Sequence, residues 1–490
     1  MSIKQALSEM KSIIDSQWTN GMLPHIRFVD NETGYSPDAN EWGCNGKTIT
    51  KKFQTSGITQ PPVLGISLYK TISNIENISH HSTELISILN GVEKFHDFLF
   101  EQRDPYNENL ITIIHPWESG LDNSPIFDED NETARKELNK LGIEQQIKKR
   151  KDLNKVIAEF RPGEKDYEVY GKLIGFFQKY DYDQKKLSEN SPFRVQDTLF
   201  NTILYEAILS LIKSYQLLSL YIADDFKDLI QKNEKRAQDL YRAMSQKFYD
   251  NQSKNYYSYS LNLKKIIKID TIQSLVTNLL FATNKAETKN IIDKYQVKDH
   301  SSFLSTKLSS PFFDSLKYWR GPIWPITNWL VIEQIKKTDI ALAITHAKNT
   351  LDIISEGFDL EETYTNAIDL MNFNLVFDQF TTPSKNQYKH GWFWDSAFAT
   401  MGWIYVDTQK KETIYKEIFN KKSKLMQQNI HLYEIRKTLK EKYGVALFDE
   451  YYVGIETLQY PEKEPIGSEM MTWTAAVYID LYHFIQKNDK

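Results

Sequence analysis

The sequence predicts a mostly helical fold assembled from packed helix pairs. Three observations carry that expectation. Apolar residues recur at three- and four-residue spacing in stretch after stretch, alternating strands are scarce, and aromatic- and acid-bearing loops separate one apolar helix from the next. No period of roughly 20–50 residues repeats with matching identities, so this is not a tandem array. The chain's 490 residues can bury a large core. That length ordinarily divides into two or three domains, but a helical barrel fills it as one.

Taken in order, residues 3, 7, 10, 14 and 18 are apolar at helical spacing, so 1–18 reads as an amphipathic helix. Asn20-Gly21 marks a turn. Residues 29–50 mix Gly, Pro, Asn and Asp with Tyr35 and Trp42. They read as a long loop whose aromatics either contact a ligand or pin the loop to the body. Thr55 to Leu64 leads into a helix through Leu68, and 83–101 is helical with Leu85, Ile88, Leu89, Val92, Phe95 and Phe98 on one face. Residues 130–190 are dense in Lys, Glu and Asp with few strong apolar clusters, which predicts a charged helical excursion at the surface. A strongly apolar helix runs from Phe193 to Ile222, and another over 228–248. A short extended segment follows at 255–260, and 271–283 is apolar again. Helices are expected at 326–336, 338–355 and 410–442, and a closing one at 472–481.

Composition excludes several classes. The net charge is −5 with both signs mixed along the chain, which favours neither nucleic acid nor an anionic membrane. The single cysteine, Cys44, excludes an internal disulfide framework and a Cys-based metal cluster. The first 18 residues lack an apolar core of signal-peptide length, and no stretch is long enough to span a bilayer, so the expected location is the cytoplasm. No Gly-rich phosphate loop, no HExxH and no GxSxG occurs, so neither a cofactor nor a metal is expected.

What remains is carboxylates beside aromatic rings. Ile114 to Pro125 reads I-H-P-W-E-S-G-L-D-N-S-P, with Glu118 and Asp122 close to Trp117 and His115. An indole stacks on a pyranose face and lowers the local dielectric, which raises a neighbouring carboxyl pKa and suits it to donate a proton. The same residues also suit a plain turn ahead of a helix, with Asp122 or Asn123 as its N-cap. Tyr318 to Leu330, Y-W-R-G-P-I-W-P-I-T-N-W-L, is a second aromatic stretch, and Gly391 to Trp403 a third. Arg320 would either donate to sugar hydroxyls, hold a carboxylate bidentately, or sit in a structural ion pair.

H-P-W-E-S-G-L-D-N-S-P, Y-W-R-G-P-I-W-P-x-x-N-W-L and the late E-Y-Y…W-T-A-A together resemble the (α/α)6-barrel glycosidases of glycoside hydrolase family 63. The likeness is strongest to the bacterial mannosylglycerate and glucosylglycerate hydrolase branch, with trehalases as relatives. Q-W-T-N-G-M-L-P-H-I, T-S-G-I-T-Q-P-P and F-R-V-Q-D-T-L-F-N are similar to that branch as well. The resemblance implies an all-α fold, an (α/α)6 toroid with long aromatic-rich loops over the active-site face, as one catalytic domain across 1–490. It implies an inverting α-glycosidase acting on a small α-glucoside such as trehalose or glucosylglycerate, with mannosylglycerate behind them. Asp122 would be the general acid and Glu450 the general base that activates water. Trp319, Arg320 and Trp324 would line the sugar pocket, with Gln60, Trp117 and Glu118 nearby and Tyr35 and Trp42 on a loop over it.

Two departures from the branch matter. W-x-W-D-S-x-F, normally near the N-terminus, stands at 392–398, as after a circular permutation; Asp395 would then bind sugar hydroxyls. The usual spacer after the base is missing, and ungapped spacing to W-T-A-A would put Glu456 in place of Glu450. The alternative function is a catalytically inactive sugar-binding protein on the same barrel. The expected partner is a small carbohydrate, with the oligomeric state open.

Overall fold

The computed structural model describes residues 3–28, 36–147, 149, 150, 153, 158, 161–296, 302–314, 317–354, 390–392, 397–401, 404 and 472–488. The architecture is an all-α toroid. Its helices sort by how much of their circumference is apolar. In α9 (Lys227–Lys247) only Asn233, Ala237, Leu240 and Met244 are buried, a single stripe at four- and three-residue steps, so it lies on the outside. In α10 (Ile272–Leu280) every residue is buried, and in α12 (Pro325–Ile335) all but one are, so these helices form part of the inner wall.

The N-terminal elements are α1 (Ile3–Asp15), β1 (Ile26–Phe28), the short α2 (Ala39–Trp42) and β2 (Gln54–Thr55). They lead into α3 (Leu64–Ile72) and α4 (Ser82–Gln102). Helix α1 packs on α3 and α4. Helix α8 (Thr198–Leu218) is the hub, in contact with α3, α9 and α10. Helix α10 then packs on α12, and α12 on both α13 (Ile340–Ile354) and α14 (Thr472–Asn488). The ring is closed electrostatically. Lys70 of α3 donates to both oxygens of Asp480 in α14, at 3.0 and 2.7 Å, and Trp329 of α12 donates its indole N–H to the same carboxylate at 2.9 Å. No described helix is long and apolar enough to cross a membrane.

Three sequence expectations are revised. The helix expected from Phe193 begins at Thr198, because the Asp197 carboxylate accepts the Phe200 N–H and caps it. Residues 195–196 instead form β3, paired with β6 (Tyr259–Ser260). The loop at 29–50 contains α2, fixed by a capping box between Asp38 and Glu41. The stretch 130–190 is not merely a surface excursion. Helix α5 (Asp128–Lys140) is mostly polar, but α6 (Glu164–Lys179) buries Tyr167, Tyr170, Ile174 and Phe177 along one stripe. The helices expected at 410–442 lie outside the described residues.

The late chain returns to the early chain. β8 (His390–Trp392) pairs antiparallel with β1, Trp392 opposite Ile26, while β1 also pairs with β2. The Ser67 hydroxyl of α3 donates to the Ala397 carbonyl at 2.6 Å, and the Phe398 ring meets Trp329 edge-on.

Between α4, α8 and α9 lies a buried polar cluster. Glu93 accepts from Asn233, Arg236 and Tyr215, at 2.8, 2.9 and 3.3 Å. Beside it His96 is fully buried, and burial pulls its pKa down to about 4 against the opposing charge of Glu93. The native imidazole therefore stays neutral while an unfolded one takes up a proton below about 6.5. Stability supported by this residue is present above pH 6.5 and is lost as pH falls towards 4. His96→Leu should flatten that slope by about 3 kcal/mol at most, read from urea unfolding across pH 4–7.

Candidate active site

The site is built on the stretch 111–125, which is tied down at almost every residue. Ile111 exchanges hydrogen bonds with the Asn201 side chain at 2.8 and 3.0 Å, and Ile113 exchanges backbone bonds with Val195 at 2.9 and 3.0 Å. His115 caps the 3-10 turn Pro116–Ser119 by accepting the Trp117 N–H on Nδ1. Its other nitrogen sits 3.2 Å from the Tyr170 carbonyl. Burial holds this ring neutral, its pKa down to about 3, so Nδ1 as acceptor requires Nε2–H as donor.

Glu118 lies beneath the turn with no exposed surface. One oxygen accepts from Arg103 at 2.6 Å and from the Thr59 N–H at 3.1 Å. The other accepts from Arg103 at 2.8 Å and from the Ile114 N–H at 2.7 Å. The structure thus assigns Glu118 to a buried bidentate ion pair that fixes the loop, rather than to a surface facing the cleft. Thr59 precedes Gln60, so the same carboxylate seats the segment carrying Gln60, itself buried at 9 % exposure.

Gly120 then reverses the chain at φ +73°, a conformation that suits glycine. Asp122 follows in a turn closed by the Ser124 N–H on the Leu121 carbonyl at 2.9 Å. Three groups hold this turn. The Tyr170 hydroxyl donates to the Asp122 carbonyl at 3.0 Å, the Trp319 N–H donates to Asn123 Oδ1 at 3.0 Å, and the Ser124 hydroxyl donates to Gln273 at 2.7 Å. Neither Asp122 nor Asn123 caps a helix: α5 starts at Asp128 without a side-chain cap.

Aromatic rings pack around the turn and are buried. Trp117 has Tyr170 at 5.2 Å, His115 at 4.7 Å, His25 at 6.2 Å and Trp42 at 6.3 Å. Trp319 and Trp324 stack at 3.7 Å with planes 17° apart, and the Trp324 indole donates to the Tyr318 carbonyl at 3.0 Å. Gly321 is required there, because a Cβ would lie 2.2 Å from the Asp314 carbonyl oxygen. Arg320 pairs with Asp128, three residues beyond Pro125. Burial alone would lower its pKa, but the hydrogen bonds and charge of Asp128 raise it. The Arg161 guanidinium lies 4.4 Å from the Tyr318 ring centroid.

The structure therefore links Trp42, Trp117, the Asp122 turn, Trp319 and Trp324 through ring contacts and hydrogen bonds, with Glu118 fastened beneath, while Gln60 and Arg320 adjoin them as the chain neighbours of Thr59 and Trp319. Tyr35, Asp395, Glu450 and Glu456 lie outside the described residues. Sequence reasoning missed Arg103, Tyr170 and Gln273, and offered Asn123 only as a helix cap. Tyr170 had a signal in the stripe 167, 170, 174, 177, diluted by surrounding charge. Three buried donors near the turn, Trp42 Nε1, Trp319 Nε1 and Asn123 Nδ2, have no protein acceptor among the described residues.

The toroid fold together with the family and relatives it matches makes this chain a glycoside hydrolase. Residues 2–365 match the mannosylglycerate hydrolase MGH1-like glycoside hydrolase domain, and the chain belongs to that family. Among relatives, mannosylglycerate hydrolase of Thermus thermophilus is 30% identical over 368 residues, 72% of this chain and 83% of that protein. Glucosylglycerate hydrolase of Mycolicibacterium hassiacum is 26% identical over 353 residues, 67% of this chain and 75% of that protein. The crystal structure of the family 63 mannosylglycerate hydrolase of Thermus thermophilus with Tris and D-glycerate superposes with a TM-score of 0.62. It is 27% identical and covers 82% of this chain and 89% of that chain.

Arg103→Met would leave the Glu118 carboxylate buried and unpaired. The expected loss is about 3–5 kcal/mol of unfolding free energy, measured by denaturant titration.

Proposed function

We propose that the protein hydrolyses an α-glycoside of glycerate, glucosylglycerate or mannosylglycerate, with inversion at the anomeric carbon. The observation that carries this is the Asp122 turn, clamped to Trp319, Tyr170 and Gln273 in a chain whose relatives hydrolyse such compounds. Glycerate glycosides move ahead of trehalose because D-glycerate is bound in the solved relative. A carboxylate-bearing aglycone also calls for a cation, and Arg161 brings a guanidinium group to the Tyr318 ring.

In this reading Asp122 gives its proton to the glycosidic oxygen as the C1–O bond breaks. Water adds to the opposite face of C1, and its proton passes to Glu450, with Glu456 as the alternative base. An inverting pair stands roughly 6.5–9.5 Å apart to admit that water. The aromatic packing of Trp117, Trp319 and Trp324 beside the Asp122 turn supports a sugar-binding role for this part of the fold. Trp392 pairs with Ile26, next to His25, whose ring faces Trp117. That pairing supports assigning Asp395, three residues on, to the same cleft.

Among glucosylglycerate, mannosylglycerate, trehalose, kojibiose and nigerose, a glycerate glycoside should turn over fastest. Preference for a neutral disaccharide would reject the glycerate assignment. Asp122→Asn and Glu450→Gln should each lower kcat by roughly 100- to 10,000-fold with sugar binding retained. The first sugar product should be the β-anomer by NMR, and an α product would mean retention. The kcat/KM profile should be bell-shaped in pH.

A further inference from the structure

Of the three clamps on the Asp122 turn, the Ser124 hydroxyl has a path to the inner wall that no sugar-facing role explains. It donates to Gln273 Oε1 at 2.7 Å. Gln273 is the second residue of α10 and is 1% exposed. Its amide N–H donates in turn to Asp197 Oδ2 at 2.8 Å. Asp197 is fully buried, its other oxygen accepts the Phe200 N–H at 2.8 Å, and the Ser258 hydroxyl reaches Oδ2 at 3.2 Å. Burial pushes the Asp197 carboxyl up to about 6, so at neutral pH and above it is ionised and only accepts. The chain is then directional, the amide turning its NH2 to Asp197 and its oxygen to Ser124. The Ser124 proton is then committed to Gln273. Each group is locked by the next, and the frame at the end is the start of α8, the hub of the ring. A buried polar chain where two apolar helices meet is weak as a source of stability, since well-packed apolar residues would do as well. What it supplies is a fixed position.

We infer that Gln273 is a positioning residue for the proton donor, holding the Asp122 turn to the α8–α10 frame through Ser124. This rests on Asp122 being the acid. The consequence is specific to leaving-group protonation. A glycoside needs a proton on its departing oxygen, whereas fluoride leaves a glycosyl fluoride without one.

The test compares the better substrate of glucosylglycerate and mannosylglycerate with the matching α-glycosyl fluoride. Gln273→Leu should lower kcat on the glycoside by roughly 100-fold, as expected for a displacement of about 1 Å, with KM nearly unchanged and turnover of the fluoride spared. Ser124→Ala should show the same asymmetry and serves if the Leu variant folds poorly. Gln273→Glu discriminates further. Protonated, its carboxyl has the donor and acceptor in the places the amide has them; ionised, it faces Asp197 with like charge. Its glycoside activity should approach that of the native enzyme at acidic pH and fall away at higher pH, relative to the fluoride. Equal losses on both substrates, or an unchanged kcat on the glycoside, would overturn the inference. Asp122→Asn is measured alongside. If it spares the fluoride and the Gln273 and Ser124 variants do not, the positioning role fails while the acid assignment stands. If Asp122→Asn impairs both substrates equally, the acid assignment fails and this inference falls with it.

Discussion

A guanidinium and a carboxylate, Arg103 and Glu118, meet where water does not reach, and the site is arranged around that pair. Neither charge would survive burial alone. Together they consume four donors on two oxygens and join three segments: the end of α4, the Thr59–Gln60 loop and the turn that leads to Asp122. Arg103 also donates to the Gln184 side chain and to the Thr112 carbonyl, which extends the same node into α7 (Gln184–Asn190) and the strand-like run before the turn. Loops that carry reacting groups gain from such fixation, because the cost of ordering them falls at folding rather than at each turnover.

The second organising feature is that the proposed acid stands on a short turn gripped from separate parts of the chain. Tyr170 comes from α6, Trp319 from the aromatic run before α12, and Gln273 from α10. None of these is close in sequence to Asp122. The ring brings them together in a buried setting, which strengthens each polar contact.

Much of the helical architecture was legible from periodicity, since stripes such as Leu85 to Phe98 are long and regular. What periodicity misplaces is the local exception. Asp197 moved the start of α8, because a cap depends on one side chain and not on a pattern. The charge between 130 and 190 hid the apolar stripe of α6, because composition averages over a helix whose two faces differ. At the site, residue types were readable and orientations were not. Glu118 beside Trp117 reads the same whether it faces a ligand or an arginine below, and only the fold puts Arg103 there. Gln273, a polar residue inside an apolar run, carried a visible signal whose meaning depends on partners 76 and 149 residues away.

The clasp between Lys70 and Asp480 spans 410 residues of chain. Joining ends so far apart carries a large entropic cost for closing the intervening loop, and contacts of that reach tend to form late. A nascent polypeptide emerging from the ribosome therefore holds Lys70 of α3 beside Glu333 of α12 before the Asp480 carboxylate of α14 arrives. Sealing of the ring waits on α14. A chain interrupted before that helix would carry an open seam, and chaperone or protease machinery would meet it there.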